Sequence, residues 1–588
     1  MTLATLGGGP GQGIGTGDPF AGAPPQSERQ RVESLVAQME FHRQSMLPWF
    51  RELGAFFAPR SPRLDIHKEN RGNALNRHIL DETAVFAKRT LASGLHWGIT
   101  NPSRQWKVLA VTDSSIAELQ TVKDWLHAVN DRMDTILARS NFYDTMAMAY
   151  DDVIVFANAA YAIEEDAEDV IRCVPFSVGS YAMADDAKGN VTAFARTFLM
   201  TVRQMVERFG HRNGKKADAM FSQKVKDAMK NNRWEDKVEI VHLICPNEDY
   251  DGVRDTPEHK RWASYYYEQG SRPVDKGELF LDKDGYNEWP VMVFRWRRVP
   301  DDPFGIDCPA MNILGTVKST QKIESKALKL VDKAVDPPLV GPSSLQHKRL
   351  SLLPGDFVAD DDRDKQLRAI HEVQLGGLQA VREAQADMRN RIHDAFYTRL
   401  MMFIVNDTRA QRPTAEEVRE GSQEKYLVLG TVLESFNRTL SQVIDRVFAI
   451  MLRQGLIPEP PEALQGLALK VEYTSIMAQA QKSVGLTSIE RFLGTVANLM
   501  KLTGDPTIGD KVDWDQAVDE IGLRSGIPPR VVKSDEDVAA KREQQAEAME
   551  QERQVAMAEQ ESKAAKNLSE TDTSGDNALT ALMQQGVQ

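Results

Sequence analysis

The chain has few cysteines, and they lie far apart. Cys173, Cys245 and Cys308 form no CxxC pair, which excludes a disulfide framework and a zinc site built on paired cysteines and suits a reducing cytoplasm. No run of about 18 apolar residues occurs, so no membrane span is expected. The first residues lack a basic segment followed by an apolar one, so no secretory signal is expected. We therefore expect a protein that is made and used without crossing a membrane.

An excess of basic charge is also missing. The formal net charge of −13 argues against a general nucleic-acid coat, although it leaves local basic surfaces open. With 41% hydrophobic and 27% charged residues, the composition is that of a soluble globular protein. A chain of 588 residues is too long for one core, so roughly two to four domains or layers are expected.

Motifs for catalysis and metal binding are missing as well. The sequence has no GxxxxGK[ST], HExxH or GxSxG pattern, and "GHRNGKK" at 210–216 resembles a phosphate-binding loop only superficially. Asp360, Asp361, Asp362 and Asp364 could hold a divalent ion, but they lack EF-hand spacing and are more typical of a solvated loop. We expect no enzyme, no cofactor and no metal.

The first half of the chain predicts helices followed by an antiparallel sheet. Residues 1–27 are rich in Gly and Pro and are expected to be flexible. Helices are predicted from Ser27 to about Gly54, after an N-cap at Asp81, and over roughly 114–163. An α+β region is predicted over about 165–298.

Local signals mark two points in this α+β region. Thr201 and Gln204 form a capping box at the start of a helix that Gly210 closes. Asp284 and Gly285 are typical of a two-residue hairpin turn. We therefore predict a short helix after one strand and a hairpin around 284–285.

The second half is mostly helical by its apolar periodicity. Helices are predicted at about 311–335, 369–405 and 414–454, with an irregular Pro- and Gly-spaced stretch between the first two. The third begins with a capping box of Thr414 and Glu417, and it follows the apolar end of the second helix after a short polar stretch. Gly430 is the expected bend of that third helix.

Shorter helices are predicted at 487–502 and 513–523. The last helix, at 534–566, is almost entirely polar, so it either packs on neighbouring chains or frays.

Five lysines share one side of the helix at 311–335. They are spaced by four, four, three and four residues, which places them within a sector of about 80° with no acidic residue between them. Ile313, Val317, Leu328 and Val331 are among the apolar residues of the far side. Such a row is either a solvated outer face or a surface that meets a polyanion through phosphate attraction. The lysines are Lys318, Lys322, Lys326, Lys329 and Lys333.

Several stretches together resemble the head-to-tail connector, or portal, of short-tailed phages (podoviruses). The resemblance covers about residues 28–560. It is carried by the order of the stretches, which are "WFRELGAFFAPR", "LDETAVFAKRTLASGLHWGITNPSRQWKVL", "GYNEWPVMVFRW", "LGTVKSTQKIESKALKLVDKAVDPPL" and "RPTAEEVREGSQEKYLVLGTVLESF". One departure is Phe304-Gly305-Ile306-Asp307, where the family tends to have a Tyr-Gly-Arg-like sequence. It puts the local turn in question rather than the fold.

The resemblance implies an α+β, mainly helical portal fold, assembled as a ring of about twelve identical subunits. Each subunit would have a wing, a two-helix stem, a clip and a helical crown. The implied division is a flexible tail at 1–27, wing at 28–310, stem helix one at 311–336, clip at 337–368, stem helix two at 369–405, channel loop at 406–413, a second wing part with the long helix at 414–533, crown helix at 534–566 and disordered tail at 567–588.

The resemblance also implies three groups of functional residues. The channel loop, which borders passing DNA, would be Asn406, Asp407, Thr408, Arg409, Ala410, Gln411 and Arg412. The clip residues for docking of terminase and adaptor would be Leu345, Lys348, Arg349, Leu350, Leu352 and Leu353. The five lysines would line the lumen of the stem, if that side of the helix faces inward.

The implied role is physical rather than chemical. Double-stranded DNA would pass through the ring at a capsid vertex of the virion, after synthesis of the protein in the bacterial host cytoplasm. The implied partners are further copies of the chain, the major capsid protein and scaffold, the terminase large subunit, a tail adaptor protein and non-specifically bound DNA, but no membrane. The alternatives are another structural virion protein, such as a scaffold or tail adaptor, and an enzyme such as a nuclease or lysin, for which 360–364 is the only place to look.

Overall fold

Long helices flank antiparallel strands in this computed structural model. It describes residues 27–61, 64–65, 67, 76–113, 116, 119–210, 221–254, 256–271, 280–300, 302–335, 339–340, 368–369, 375–406, 415–464, 469–474, 489, 492–504, 511–525 and 535–569. The chain divides into two units. The first comprises Met1–Leu109, Ala128–Glu459 and Val471–Met477, and the second Ala110–His127, Pro460–Lys470 and Ala478–Gln588.

Four helices precede the main sheets. They are α1 (Glu28–Phe57), α2 (Thr83–Ile99), α3 (Gln120–Arg139) and α4 (Phe142–Phe156). A short strand, β1 (Lys107–Val111), lies between α2 and α3. A capping box of Ser27 and Gln30 starts α1. The N-cap of α2 is Glu82, so the predicted N-cap at Asp81 is wrong by one residue.

The predicted helical tract at 114–163 is wrong in extent. It is interrupted between α3 and α4, where the Asn141 side chain bonds the backbone N–H and C=O of Cys173 instead of capping α4. Ala157 then adopts a left-handed conformation with φ of 60°, which ends α4 and turns the chain into a strand. Residues 158–163 are therefore strand rather than helix.

Two antiparallel sheets follow. One has three strands in the order β3-β2-β9, and the other has five in the order β4-β5-β6-β7-β8. The strands are β2 (Asn158–Asp166), β3 (Val170–Phe176), β4 (Tyr181–Asp185), β5 (Val191–Thr201), β6 (Lys237–Pro246), β7 (Trp262–Glu268), β8 (Asp282–Tyr286) and β9 (Val291–Arg295).

The hairpin turn predicted at Asp284–Gly285 is wrong. Both residues lie inside β8, opposite Ser264 and Ala263 of β7. A Cβ atom on Gly285 would lie 2.8 Å from the Trp262 carbonyl oxygen, so this glycine permits a close backbone approach within the sheet. The chain then crosses to the other sheet, because β9 pairs with β2.

The five-stranded sheet is covered on both faces. On one face, Val32, Val36 and Met39 of α1 pack in the same buried cluster as Val241 and Leu243 of β6. The other face carries two short helices, α5 (Val202–Phe209) and α6 (Gln223–Lys230). The capping box of Thr201 and Gln204 is present as predicted, and Gly210 is the C-cap. Alternation along the strands therefore supplies two apolar faces.

Helices dominate the rest of the first unit. They are α7 (Pro309–Val335), α8 (Leu375–Ala395), α9 (Thr398–Asn406) and α10 (Ala415–Arg453). Between α7 and α8, the two-residue strands β10 (Leu339–Val340) and β11 (Arg368–Ala369) pair antiparallel. The apolar stripe predicted for α10 is buried at every position that was named. Those positions are Leu429, Val432, Leu433, Phe436, Leu440, Val443, Ile444, Val447 and Met451.

The single helix predicted at 369–405 is wrong, because it is divided at Phe396 and Tyr397. Tyr397 has φ of +50°, while Phe396 is fully buried with its ring centroid 5.8 Å from that of Phe57. Burying Phe396 there fixes the turn between α8 and α9. Ala369 belongs to strand β11, and α8 is described from Leu375.

The second unit contains the C-terminal helices. They are α11 (492–503), α12 (Trp514–Ser525) and α13 (Asp535–Ser569). Strand β12 (Leu469–Tyr473) precedes them. No helix in the described part of the chain combines the length and the apolar content needed to cross a membrane.

Candidate functional site

The two long helices α7 and α8 pack together through a polar contact. Gln385 Nε2 of α8 donates to Glu324 Oε2 of α7 over 2.6 Å, and Arg389 Nη2 reaches the same oxygen at 3.4 Å. Gln385 is buried, so this bond lies at the helix contact rather than in solvent. A buried amide with a charged acceptor fixes the register between the helices.

A second polar contact holds the residues before α2 against the same pair. Gln321 Oε1 accepts hydrogen bonds from the backbone N–H groups of Leu80 and Asp81, at 2.6 and 2.9 Å. Gln321 Nε2 donates to the Asp81 carbonyl over 2.8 Å. Both donor and acceptor sites of this buried amide are therefore used, which makes a hydrophobic replacement costly.

The Asp81 carboxylate completes this arrangement. Its side chain is almost fully buried and accepts from Arg389 Nε over 2.7 Å and from the Thr83 N–H over 2.9 Å. Burial alone would raise its pKa, but the hydrogen bonds from Thr83 and Arg389 outweigh burial and hold the pKa below its usual value. Asp81 is therefore a structural carboxylate that ties α2 to α8.

The predicted lysine sector lies on the side of α7 that faces away from these contacts. At 100° per residue, residues 321 and 324 lie about 60–180° around the helix from the individual lysines. The last four lysines are exposed, and none of them forms an ion pair with a residue that the structure describes. Lys318 differs, because it is half-buried and pairs with Glu52 of α1. The four exposed lysines are Lys322, Lys326, Lys329 and Lys333.

The apolar side of α7 is buried only toward its start. Val317 is fully buried, whereas Leu328 and Val331 are 48% and 44% exposed. The C-terminal half of α7 therefore offers both charge and apolar surface to solvent within the described part of the monomer.

The channel loop predicted at 406–413 lies almost wholly outside the described residues. Asn406 is the last residue of α9, while Asp407, Thr408, Arg409, Ala410, Gln411 and Arg412 are not described. The residues before the loop are firmly held, since Met401 is buried against Gly94 of α2. A Cβ atom on Gly94 would lie within 2.4 Å of the Met401 sulfur, so a larger residue would push α9 away.

The helix after the loop is anchored at its far end by two arginines. Arg446 is almost fully buried and donates to Glu288. Arg453 donates to Glu288 over 2.6 Å and to Glu165 over 2.6 Å. Charge-assisted bonds of this kind hold the C-terminal end of α10 to the β-strand region.

The predicted clip residues also lie outside the described residues, and only β10 and β11 are described at its two ends. These residues are Leu345, Lys348, Arg349, Leu350, Leu352 and Leu353. The acidic group Asp360, Asp361, Asp362 and Asp364 likewise lies outside them. Within the residues that are described, no group of three or more His, Cys, Asp or Glu side chains is placed to hold a metal ion.

The three cysteines are buried thiols. Burial raises the pKa of Cys173, Cys245 and Cys308 to about 12. A thiol with such a pKa stays protonated at neutral pH, so it is a poor nucleophile and a poor metal ligand.

Sequence reasoning missed the residues that join the helices. Gln321, Glu324, Gln385 and Arg389 drew no prediction, because each is an ordinary polar residue on a helix until its distant partner is known. The one local indication was the row of lysines. Because it marks the exposed side of α7, polar residues elsewhere on the helix, such as Gln321 and Glu324, could be expected on the packed side.

Comparisons with known proteins find relatives over most of the chain. The family model described as bacteriophage head to tail connecting protein matches residues 29–532. The portal protein of Salmonella phage epsilon15 is 38% identical over 560 residues, 95% of this chain and 98% of that protein. The probable portal protein of Bordetella phage BPP-1 is 32% identical over 559 residues, 94% and 98% of the two chains.

A solved virion of a native gene transfer agent particle gives a much weaker similarity. Its TM-score is 0.33 at 8% identity, over 77% of this chain and 99% of that chain. The sequence matches, by contrast, extend over nearly the full length of both phage relatives. The chain belongs to the bacteriophage head-to-tail connecting protein family.

Proposed function

We propose that this chain is the subunit of a phage portal, the channel at one capsid vertex through which double-stranded DNA is packaged and later ejected. The observation that carries this proposal is the similarity to the two phage proteins named portal or probable portal, each covered over 98% of its length. The family description, a head-to-tail connecting protein, supports a structural role in the virion.

The proposed assembly is a ring of about twelve copies around the DNA. In it, α7 and α8 form the stem, residues 337–368 the clip, 28–310 the wing and 534–566 the crown. The described contacts suit a stem, because α7 spans about 40 Å at 1.5 Å per residue and is fixed to α8 by Glu324, Gln385 and Arg389. A helix pair that must keep its shape while DNA is forced through the ring needs a fixed register of this kind.

The proposed mechanism is weak electrostatic contact rather than catalysis. Repetition around the ring would turn each exposed lysine of α7 into a band of positive charge at one height. At physiological salt such a band acts over only about 8 Å, so it would guide phosphates without holding them. The net charge of −13 per chain would keep the rest of the channel from binding DNA tightly.

The channel loop at 406–413 would border the DNA between two rigid supports. On one side is the short helix α9, whose Met401 is packed on Gly94. On the other is α10, whose far end is held by Arg446 and Arg453. Arg409 and Arg412 are the charges that the loop would present.

The proposed partners follow from these parts. The clip residues would dock the terminase large subunit, which supplies the ATP-driven force, and then a tail adaptor protein. The wing would contact the major capsid protein and scaffold. The protein would act in the virion after synthesis in the host cytoplasm.

Electron microscopy of the purified full chain tests the proposal. We expect closed rings of about twelve subunits with an open axial hole, and a matching mass in native mass spectrometry. A host infected with phage lacking this gene should produce heads without DNA, and the full chain supplied in trans should restore filling. Stable monomers or dimers under every assembly condition, together with failure to restore filling, would contradict the proposal.

A further inference from the structure

The outer strand of the three-stranded sheet has an open edge. Pro290 and Trp296 flank β9 and bond across to the β2 side, since the Ile163 N–H donates to the Pro290 carbonyl and the Trp296 N–H to the Ala157 carbonyl. Backbone groups alternate in direction along an antiparallel strand. The N–H and C=O groups of Val291, Val293 and Arg295 therefore point away from β2.

Helix α10 covers only half of that edge. Thr439 Oγ1 donates to the Val293 carbonyl over 3.1 Å, and Ser435 Oγ donates to the Arg295 carbonyl over 3.2 Å. These two hydroxyls bond outward C=O groups of the strand edge and make no bond to its outward N–H groups. Among the described residues no acceptor lies on the N–H groups of Val291 and Val293. Val291 is fully buried and Val293 is 8% exposed, so Val293 is the one of these two whose N–H a ligand can reach.

A cleft lies along these donors. It has a volume of about 90 Å³, and it is bounded by β9, α10 and the turn between β4 and β5. None of the residues that line it is acidic. Its polar and aromatic lining includes Asn190, Trp289, Arg295, Arg298, Arg438 and Gln442.

The three arginines differ in how far they are already occupied. Arg295 is nearly buried and bonds Asp185 over 2.6 Å as well as two carbonyls. Arg298 uses Nη1 for the Gly189 carbonyl, over 2.6 Å, and for a longer ion pair with Asp185, at 3.9 Å. It therefore shares the Asp185 carboxylate with Arg295, while its Nε and Nη2 make no hydrogen bond within the described part of the chain. Arg438 is exposed and has no hydrogen bond or ion pair within the described part of the chain.

Gly189 keeps Arg298 in this position. It has φ of +77°, and a Cβ atom there would lie 1.1 Å from Arg298 Nη1. A side chain at this position would be strained and would displace the guanidinium. The turn is therefore shaped to let an arginine lie against its backbone at the edge of the cleft.

We propose that this cleft binds a phosphate-class oxyanion between Arg298, Arg438 and the outward N–H group of Val293. Guanidinium groups bond oxyanions through paired N–H donors, and the Val293 N–H adds a further donor. A phosphate has three or four oxygens and can use donors from both walls at once. The source of the phosphate is either the free ion or the backbone of a nucleic acid, and the charge pattern is the same for both.

Titration calorimetry on the full assembled chain tests this binding. Inorganic phosphate is expected to bind saturably to the unchanged protein, and Arg438→Gln is expected to weaken binding about tenfold, the loss of one charge-assisted contact. Arg438 has no described partner, so its replacement should leave folding intact, which circular dichroism and the melting temperature check. Arg89→Gln, an exposed arginine of α2 without a described partner, is the matched control and should bind like the unchanged protein.

A second arm identifies the source. A short DNA duplex, followed by fluorescence anisotropy, should lose affinity in Arg438→Gln but not in Arg89→Gln if nucleic acid supplies the phosphate. Saturable binding of phosphate alone, with the same dependence on Arg438, assigns the free ion, and either result supports the site. The proposal is overturned if neither ligand binds, if Arg438→Gln binds both as well as the control does, or if acetate competes as well as phosphate.

Discussion

Arg389 donates its Nε–H to Asp81 Oδ2 over 2.7 Å and so joins two residues that are 308 positions apart. Asp81 is almost fully buried, and Gln321 of α7 holds its backbone at the same time. One carboxylate therefore connects the start of α2 to both helices of the proposed stem. The α7–α8 pair is thus attached to the rest of the first unit by directed polar contacts and not by apolar packing alone.

Replacing Arg389 with glutamine should destabilise the chain by about 1–3 kcal/mol at pH 7, because it leaves a buried carboxylate with one donor fewer. The pKa of Asp81 is below its usual value of 3.8, so this contribution is present above about pH 4 and is lost as the pH falls through the lowered pKa. The measurement is urea unfolding at pH 7 and pH 3.

Arg391→Gln is the control for Arg389→Gln. Arg391 lies two residues away on α8 and pairs with Asp387 on the exposed surface, so its loss should cost less than about 0.5 kcal/mol. Equal destabilisation in the two variants would show that the Arg389–Asp81 contact contributes no more to stability than the exposed Arg391–Asp387 pair.

Asp152 gives the chain a second pH response, near neutrality. Burial raises its pKa to about 7, with Asp151 adding to the effect and Ser61 and Lys88 opposing it. Ser61 Oγ donates to its carboxylate over 2.6 Å. Between about pH 4 and 7 the folded chain holds a proton that the unfolded chain has released, so stability falls as the pH rises through this window.

Asp152→Asn should therefore flatten the fall in stability between about pH 4 and pH 7 by about 1–2 kcal/mol, a value reduced to allow for its partial contact with solvent. Unfolding in urea at several pH values measures it. Asp169→Asn, at an exposed carboxylate, should keep the fall of the unchanged chain. A parallel pH profile in Asp152→Asn and the unchanged chain would contradict the assignment.

Local signals predicted the fold where neighbours in sequence decide it. The capping box of Thr201 and Gln204 and the apolar stripe of α10 were both read correctly, because they depend on residues three or four positions apart. The hairpin at Asp284–Gly285 was read wrongly, because the pairing of β8 with β7 and of β9 with β2 depends on strands far apart in sequence.

The candidate site was predictable to a similar degree. The lysine row follows from helical periodicity, and its exposed side agrees with the structure for four of its five residues, all but Lys318. The bond from Arg389 to Asp81 and the break at Tyr397 were not predictable, since tertiary packing sets both and neither has a Gly or Pro signal. The channel loop and the clip stay predictions that rest on the family resemblance.

Charge reversal on α7 tests the proposed contact with DNA. Lys326→Glu with Lys329→Glu should leave ring formation intact, because both side chains are exposed and have no ion pair in the described surroundings. Packaged DNA per head should fall, and the affinity of the rings for duplex DNA at low salt should drop about tenfold with a smaller salt dependence. Lys224→Glu with Lys230→Glu, exposed on α6, is the charge-matched control. Heads that fill as well in the first double variant as in the control would rule out the lysine mechanism but not the portal assignment.

The C-terminal helix α13 provides the last prediction, because little in its own unit holds it. Arg542 bonds both oxygens of Asp515 of α12, over 2.6 and 2.8 Å, and this hydrogen-bonded arginine lowers the pKa of Asp515. Further along, Met549, Val555 and Met557 are 72%, 62% and 58% exposed. A helix without a core of its own is ordered mainly by what it packs against.

Amide hydrogen exchange should therefore be slow over 535–569 in the assembled ring and fast in the monomer, since only neighbouring copies would cover those apolar side chains. In the monomer, Arg542→Gln should speed exchange further in the first turns of α13 without changing global unfolding, because an exposed pair contributes little to overall stability. Arg553 lies on the same helix, is exposed and has no described partner, so Arg553→Gln should not speed exchange in these turns. Equal protection in ring and monomer would mean that α13 is stable alone, and the proposal that the ring orders the crown would then fail.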